Sequence, residues 1–157
     1  MKFDNKATID ASRQQFILLP ADDYQFIICA YEEKTQLKYQ TKTGEMEDVI
    51  NYTLEITGFK DGSPAKDVDG KDANGRKMWF TARPNSIGFT QGGLPSITRQ
   101  FVGYALGLED LEQDFELQSW EQLLGKNVYA EVVSKTNTKN VKVNRIARFL
   151  KPPRAKV

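Results

Sequence analysis

Apolar and polar residues alternate most cleanly between positions 48 and 59, where Ile50, Tyr52, Leu54 and Ile56 fall on one face and Asn51, Thr53, Glu55 and Thr57 on the other. A period of two marks a strand with one buried face. Upstream, residues 24 to 34, YQFIICAYEEK, start apolar and aromatic and end charged, which predicts a partly buried strand. Downstream, RKMWFTARP sets Met78, Phe80 and Ala82 against Lys77, Trp79, Thr81 and Arg83 until Pro84 ends the run. The period then changes. Ile97, Phe101, Ala105 and Leu108 recur at helical spacing with Tyr104 beside them, opened by Pro95 or Ser96 and closed by Gly107. Gly103 inside that helix costs about 1 kcal/mol relative to alanine. Residues 127–135 and 141–150 return to the strand pattern and are joined by the polar turn TNTKN.

Three strands, one helix and two strands make an all-β chain with a single helix. The order β-β-β-α-β-β is that of the OB-fold, a five-stranded Greek-key barrel whose helix plugs one end. A length of 157 residues suits one such domain, here residues 1–151, followed by a short basic tail, 152–157, stiffened by Pro152 and Pro153. Residues 60–75, rich in Gly, Pro, Asp and Lys without periodicity, predict an exposed loop. Residues 109–121 form an acidic connector anchored by Leu111, Phe115, Leu117 and Trp120.

Composition narrows the chemistry. The chain has no histidine, which removes the usual general base, the Ser-His and Cys-His nucleophile systems and the commonest zinc ligand. Its one cysteine, Cys29, lies in the apolar run FIICAY and reads as a small buried hydrophobe. Asp67, Asp69 and Asp72 do not match an EF-hand loop, because Lys71 stands where an oxygen ligand is needed and Asp72 where a glycine is needed. LLGKN lacks the earlier glycine and the following Ser or Thr of a Walker loop, and NSIGFTQGG matches no nucleotide fingerprint. The connector's six acids, Glu109, Asp110, Glu112, Asp114, Glu116 and Glu121, resemble a solvated face more than a metal-dependent nuclease site, whose ligands converge from several elements. No catalytic residue, metal or cofactor is assigned, and the chain reads as a non-enzyme.

The near-neutral net charge of +1 is a cancellation. Residues 135–157 carry eight cations and no acid, whereas the other 14 cations stand among all 21 acids, a net of −7. A basic end of this kind suits either a phosphate backbone or plain solvation. Single-strand binding needs aromatic platforms for bases and cations for phosphates. If Met78, Phe80 and Ala82 point inward, Lys77, Trp79 and Arg83 share the outer face and supply both; if the register is one residue off, Trp79 is core. On the last strand Lys142, Asn144 and Arg148 share a face with Ile146, while Arg145 interrupts the apolar face of Val143, Ala147 and Phe149, which suggests a bulge or an edge position. Tyr129 on the fourth strand, and Tyr39 near Lys38 and Lys42 in the first connection, complete the candidate nucleic-acid-binding set.

LPADDYQFIICAYEEKT, the alternating second strand, TRQFVGYALGL, LLGKNVYAEV and NRIARFLKP together resemble a family of small bacteriophage proteins that includes OB-fold single-stranded-DNA-binding proteins. The likeness spans residues 16 to 152 and rests on hydrophobic and glycine landmarks. It implies largely sequence-independent binding of single-stranded DNA in phage DNA replication or recombination, in the host cytoplasm. The chain departs from bacterial single-strand-binding proteins in ending KPPRAKV, where those end in an acidic, partner-recruiting tail. A homodimer is the expected assembly. The alternative is an accessory factor that docks a replication or recombination enzyme through the acidic connector. No apolar run approaches the length of a membrane span and MKFDNKATID lacks a signal peptide's apolar stretch, so a soluble intracellular protein is expected.

Overall fold

A computed structural model describes residues 18–40 and 46–153, with side chains omitted for 35–40 and 46. The regular structure of these residues is five strands, β1 (Asp22–Gln40), β2 (Met46–Phe59), β3 (Lys77–Ala82), β4 (Asn127–Thr136) and β5 (Lys142–Leu150), and one helix, α1 (Ile97–Ala105). A short 3-10 turn, Trp120–Leu123, precedes β4. The strands form one sheet in the order β3-β2-β1-β4-β5, with every neighbouring pair antiparallel. The sheet is not closed, so β3 and β5 are its two edges.

Alternation decides which face of each strand is buried. Tyr24, Phe26 and Ile28 of β1, Tyr52, Leu54 and Ile56 of β2, Phe80 and Ala82 of β3, and Val128, Ala130 and Val132 of β4 all face one core. Bulges bend the strands around it. One falls at Cys29, where the pairing steps from Ile28–Leu54 to Ala30–Thr53; another falls in β5 between Ile146 and Arg148. The β5 bulge turns both Ala147 and Arg148 outward, so the mixed faces of that strand reflect a bulge and an edge position together. The bulge at Cys29 has the opposite effect from the expected burial: Cys29 is exposed, with its thiol 3.4 Å from the Thr53 carbonyl oxygen. An apolar run does not reveal where a strand gains a residue and rotates its side chains.

α1 covers the core through Phe101, whose ring lies 4.9 Å from Tyr52, 4.7 Å from Phe80 and 5.0 Å from Phe149. Phe80 and Phe149 meet edge-on at 4.8 Å, so the two sheet edges converge on one helix. The helix also satisfies both edges. The Arg83 N–H donates to Thr98 Oγ1 at 3.0 Å, and the Phe149 N–H donates to Gln100 Oε1 at 3.0 Å. Ser96 caps the helix start by accepting from the Arg99 amide at 3.1 Å. At the other end Leu108 and Gly107 donate back to Gly103 and Tyr104, with Gly107 at φ 84°, a Schellman closure that leaves Leu108 outside the helix.

Gly103 has a reason the helical pattern does not show. Leu111 and Phe115 of the acidic connector pack onto it, and an added methyl would run into the Leu111 side chain. The 60–75 loop is likewise less exposed than its composition implies. Ala65 and Ala73 are fully buried, and buried Asp67 accepts through Oδ1 from the amides of Asp69 and Lys71 at 2.9 and 3.0 Å. Among the described residues no helix is long and apolar enough to cross a membrane.

Gly103→Ala should lower stability by about 1 kcal/mol in urea unfolding, because overpacking against Leu111 outweighs the helix-propensity gain; a raised midpoint would show that Leu111 moves aside freely. A second expectation concerns alkali. Burial, reinforced by the charge of Asp22, pushes the Tyr24 phenol up to about 12, and burial pushes Tyr52 up further still. Between about pH 10 and 12 the folded chain therefore holds protons that the unfolded chain releases, and stability falls as pH rises through that window. Denaturant unfolding at stepped pH should show the fall starting near 10, and Tyr24→Phe should make it shallower while the part due to Tyr52 persists.

Candidate functional site

β3 is short and lies at an edge, so its outward residues meet one neighbouring strand only. Lys77, Trp79 and Thr81 sit opposite Glu55, Thr53 and Asn51 of β2, and the Thr81 hydroxyl donates to Asn51 Oδ1 at 2.8 Å. The inward residues are Met78, Phe80 and Ala82, which places Trp79 outside at 70% exposure. An indole held in solvent by a paired strand is an unusual cost, since a buried tryptophan contributes among the largest apolar areas of any residue.

Trp79 stands between two concavities. On the outer face of the sheet it borders a shallow depression with Ala30, Tyr31, Glu32, Asn51 and Thr53. Glu32 there pairs with Lys34 at 2.7 Å. On its other side it borders a cleft of about 560 Å³ between the unpaired edges of β3 and β5. Met78, Ile97, Leu18 and Leu19 supply apolar walls, and Arg76, Lys77, Arg83, Lys142 and Arg145 supply charge; among the described residues no carboxylate lines it. Asn144 ties one wall in place, because its side chain accepts from the Leu19 amide at 2.7 Å and donates to the Leu19 carbonyl at 3.0 Å.

The structure thus gathers Lys77, Trp79, Arg83 and Lys142 around one cleft, from strands far apart in sequence. Their electrostatic states differ. Lys77, Lys142 and Arg145 are exposed. Arg83 is paired through Nε with the carboxylate of Glu47, whose side chain is only 3% exposed, so this guanidinium neutralises a buried acid. Removing it would leave Glu47 uncompensated, a cost of several kcal/mol. Arg148 stands apart, 60% exposed and 3.6 Å from Glu131. Tyr129 is half-buried on the outer face of β4, opposite Gln25 and Leu150, and borders neither concavity. Lys42 lies outside the described residues, and Tyr39 sits in β1 beyond the last side chain described there.

Arg76 and Arg145 join the cleft although strand alternation did not select them. At an unpaired edge the gap is reached from both faces, so Lys142 and Arg145 border the same space despite pointing to opposite sides. The signal available in the sequence was the density of cations along residues 139–148, not their period. Among the described residues no group of three or more His, Cys, Asp or Glu side chains is placed to hold a metal ion. No protein-family model matches the chain, and no curated protein matches it.

Cys29 reports on this surface, since it and Trp79 flank Thr53. Its thiol should react with Ellman's reagent in the native state at a rate close to that in denaturant. Protection by a factor of about a hundred or more would mean that the strand bulge is absent and Cys29 packs inward.

Proposed function

We propose that this chain is an OB-fold protein that binds single-stranded DNA without catalysis, in phage DNA replication or recombination. One observation carries the proposal: Trp79, 70% exposed, borders a cleft that among the described residues is lined by cations and no carboxylate. A base stacks on the indole while Lys77, Lys142 and Arg145 neutralise the phosphates on either side, and the sequence-tolerant character follows because every base has a π-face. The strand order supports the fold assignment, since a five-stranded Greek-key barrel opened along one seam gives β3-β2-β1-β4-β5. In that fold ligands lie across the second and third strands and the loops after the first and fourth. Trp79, Thr53 and Asn51 lie on that face, and Lys142 lies at the end of the β4–β5 turn. The resemblance to small phage single-strand-binding proteins points the same way.

Arg83 belongs to the cleft as a structural cation held by Glu47. Arg148 and Tyr129 fall outside the binding path.

Oligothymidine should quench tryptophan fluorescence on binding, and the quench should vanish in Trp79→Ala while surviving in Trp120→Ala. Loss of the stacked base costs about 1 to 3 kcal/mol. Affinity should fall steeply between about 50 and 200 mM salt, and Lys77→Ala and Lys142→Ala should each reduce the logarithmic salt slope by about 0.7. Arg148→Ala should leave the slope unchanged. Affinity that is absent at low salt, or a quench that depends on Trp120 alone, would sink the proposal.

A further inference from the structure

Among the described residues, three of the six strongly exposed large hydrophobic side chains come from the single loop between β3 and α1: Ile87 at 54%, Phe89 at 45% and Leu94 at 68%. This loop is not slack. Thr90 donates to Leu94 at 2.7 Å, Gly93 to Thr90 at 2.9 Å and Ser96 to Gly88 at 2.9 Å, while Phe89 and Pro95 form an antiparallel bridge. Beneath it the Arg99 guanidinium lies between two rings, 4.6 Å from the centroid of Phe89 and 4.9 Å from that of Phe115. It donates to the carbonyls of Ile87, Leu111 and Gln113 at 3.2, 2.6 and 2.9 Å. One side chain of α1 therefore fastens the apolar loop to the acidic connector.

The consequence is a fixed apolar ridge beside a row of carboxylates. Asp110, Glu112, Asp114 and Glu116 are all exposed, and residues 109–121 contain no cation. Such a ridge repels a polyanion, so the nucleic-acid reading of the cleft does not account for it. Exposed apolar side chains on a backbone that is already fixed leave less entropy to lose on docking than those on a slack loop. A symmetric contact with a second copy would bring the same row of acids to both sides of one interface, with no cation of the connector to meet it.

We propose that the Ile87–Phe89–Leu94 ridge with its acidic border is a docking surface for a basic amphipathic segment of another protein, one carrying apolar side chains between lysines or arginines. The apolar face of the segment covers the ridge and its cations meet the connector.

The probe is a short fluorescein-labelled helical peptide of leucine and lysine with one apolar face, titrated against the full chain by fluorescence anisotropy. Ile87→Ser with Leu94→Ser should weaken binding at least about tenfold, and Glu112→Lys with Asp114→Lys should do the same. The matching leucine–glutamate peptide should not bind. All four positions are exposed, so thermal midpoints should stay at the unsubstituted level, and the serine variants should keep the unsubstituted oligothymidine affinity. The proposal is overturned if the serine variants bind the peptide as tightly as the unsubstituted chain, since attraction would then be charge alone. Sedimentation showing an oligomer that Leu94→Ser dissociates would also overturn it, by assigning the ridge to a second copy.

Discussion

The insertion of Phe101 between Tyr52, Phe80 and Phe149 is the contact on which the rest of the architecture turns. Adjacent strands share backbone hydrogen bonds, but β3 and β5 share none, and only side chains hold them in register with each other. Aromatic contacts of this kind are each worth about 0.5 to 1.5 kcal/mol beyond the area they bury. Thr98 and Gln100, flanking Phe101 on α1, then accept the edge amides of Arg83 and Phe149. The helix thus substitutes for a missing strand pairing at one end of the seam. The other end, from Arg76 to Thr81 and from Lys142 to Ile146, stays open as the cleft.

Charge is separated over this frame. Cations of β3 and β5 gather at the open seam, and acids gather on the connector beyond α1. Two arginines are withdrawn from that surface economy. Arg83 neutralises buried Glu47, and Arg99 spreads its charge over three carbonyls and two ring faces. Each links segments distant in sequence, and planar guanidinium geometry suits both, because lysine offers neither a fork of donors nor a flat face to stack. A near-neutral chain can in this way present two surfaces of opposite sign.

Strand alternation carried much of this in advance. The inward faces of β2 and β3 follow the alternation from Ile50 to Ile56 and from Met78 to Ala82, and of the two readings open for Trp79 the structure gives exposure. The helix caps at Ser96 and Gly107 were legible for the same local reason. What pattern could not supply was anything set by a third element. Cys29 is exposed by a bulge, Gly103 is dictated by Leu111 from the connector, and Arg83 owes its state to Glu47 on β2. The apolar tip of the β3–α1 loop was hidden for a different reason: NSIGFTQGG matched no nucleotide fingerprint, and nothing local says that Arg99 fastens that loop.

Two explanations compete for the cations along the seam. Unpaired strand edges invite pairing with other chains, and charged side chains on an edge are a common protection against it. Lys77, Lys142 and Arg145 would serve that purpose without any ligand. Trp79 separates the two accounts. An exposed indole on an edge strand raises the tendency to associate, so a sequence shaped only to protect its edges would place a polar residue there. Thr53 and Asn51 on the adjacent strand show that this face accommodates small polar side chains, and Thr81, two residues on in β3, is itself polar. Edge protection therefore explains the charges and leaves the tryptophan unexplained, whereas a stacked base flanked by phosphates requires both.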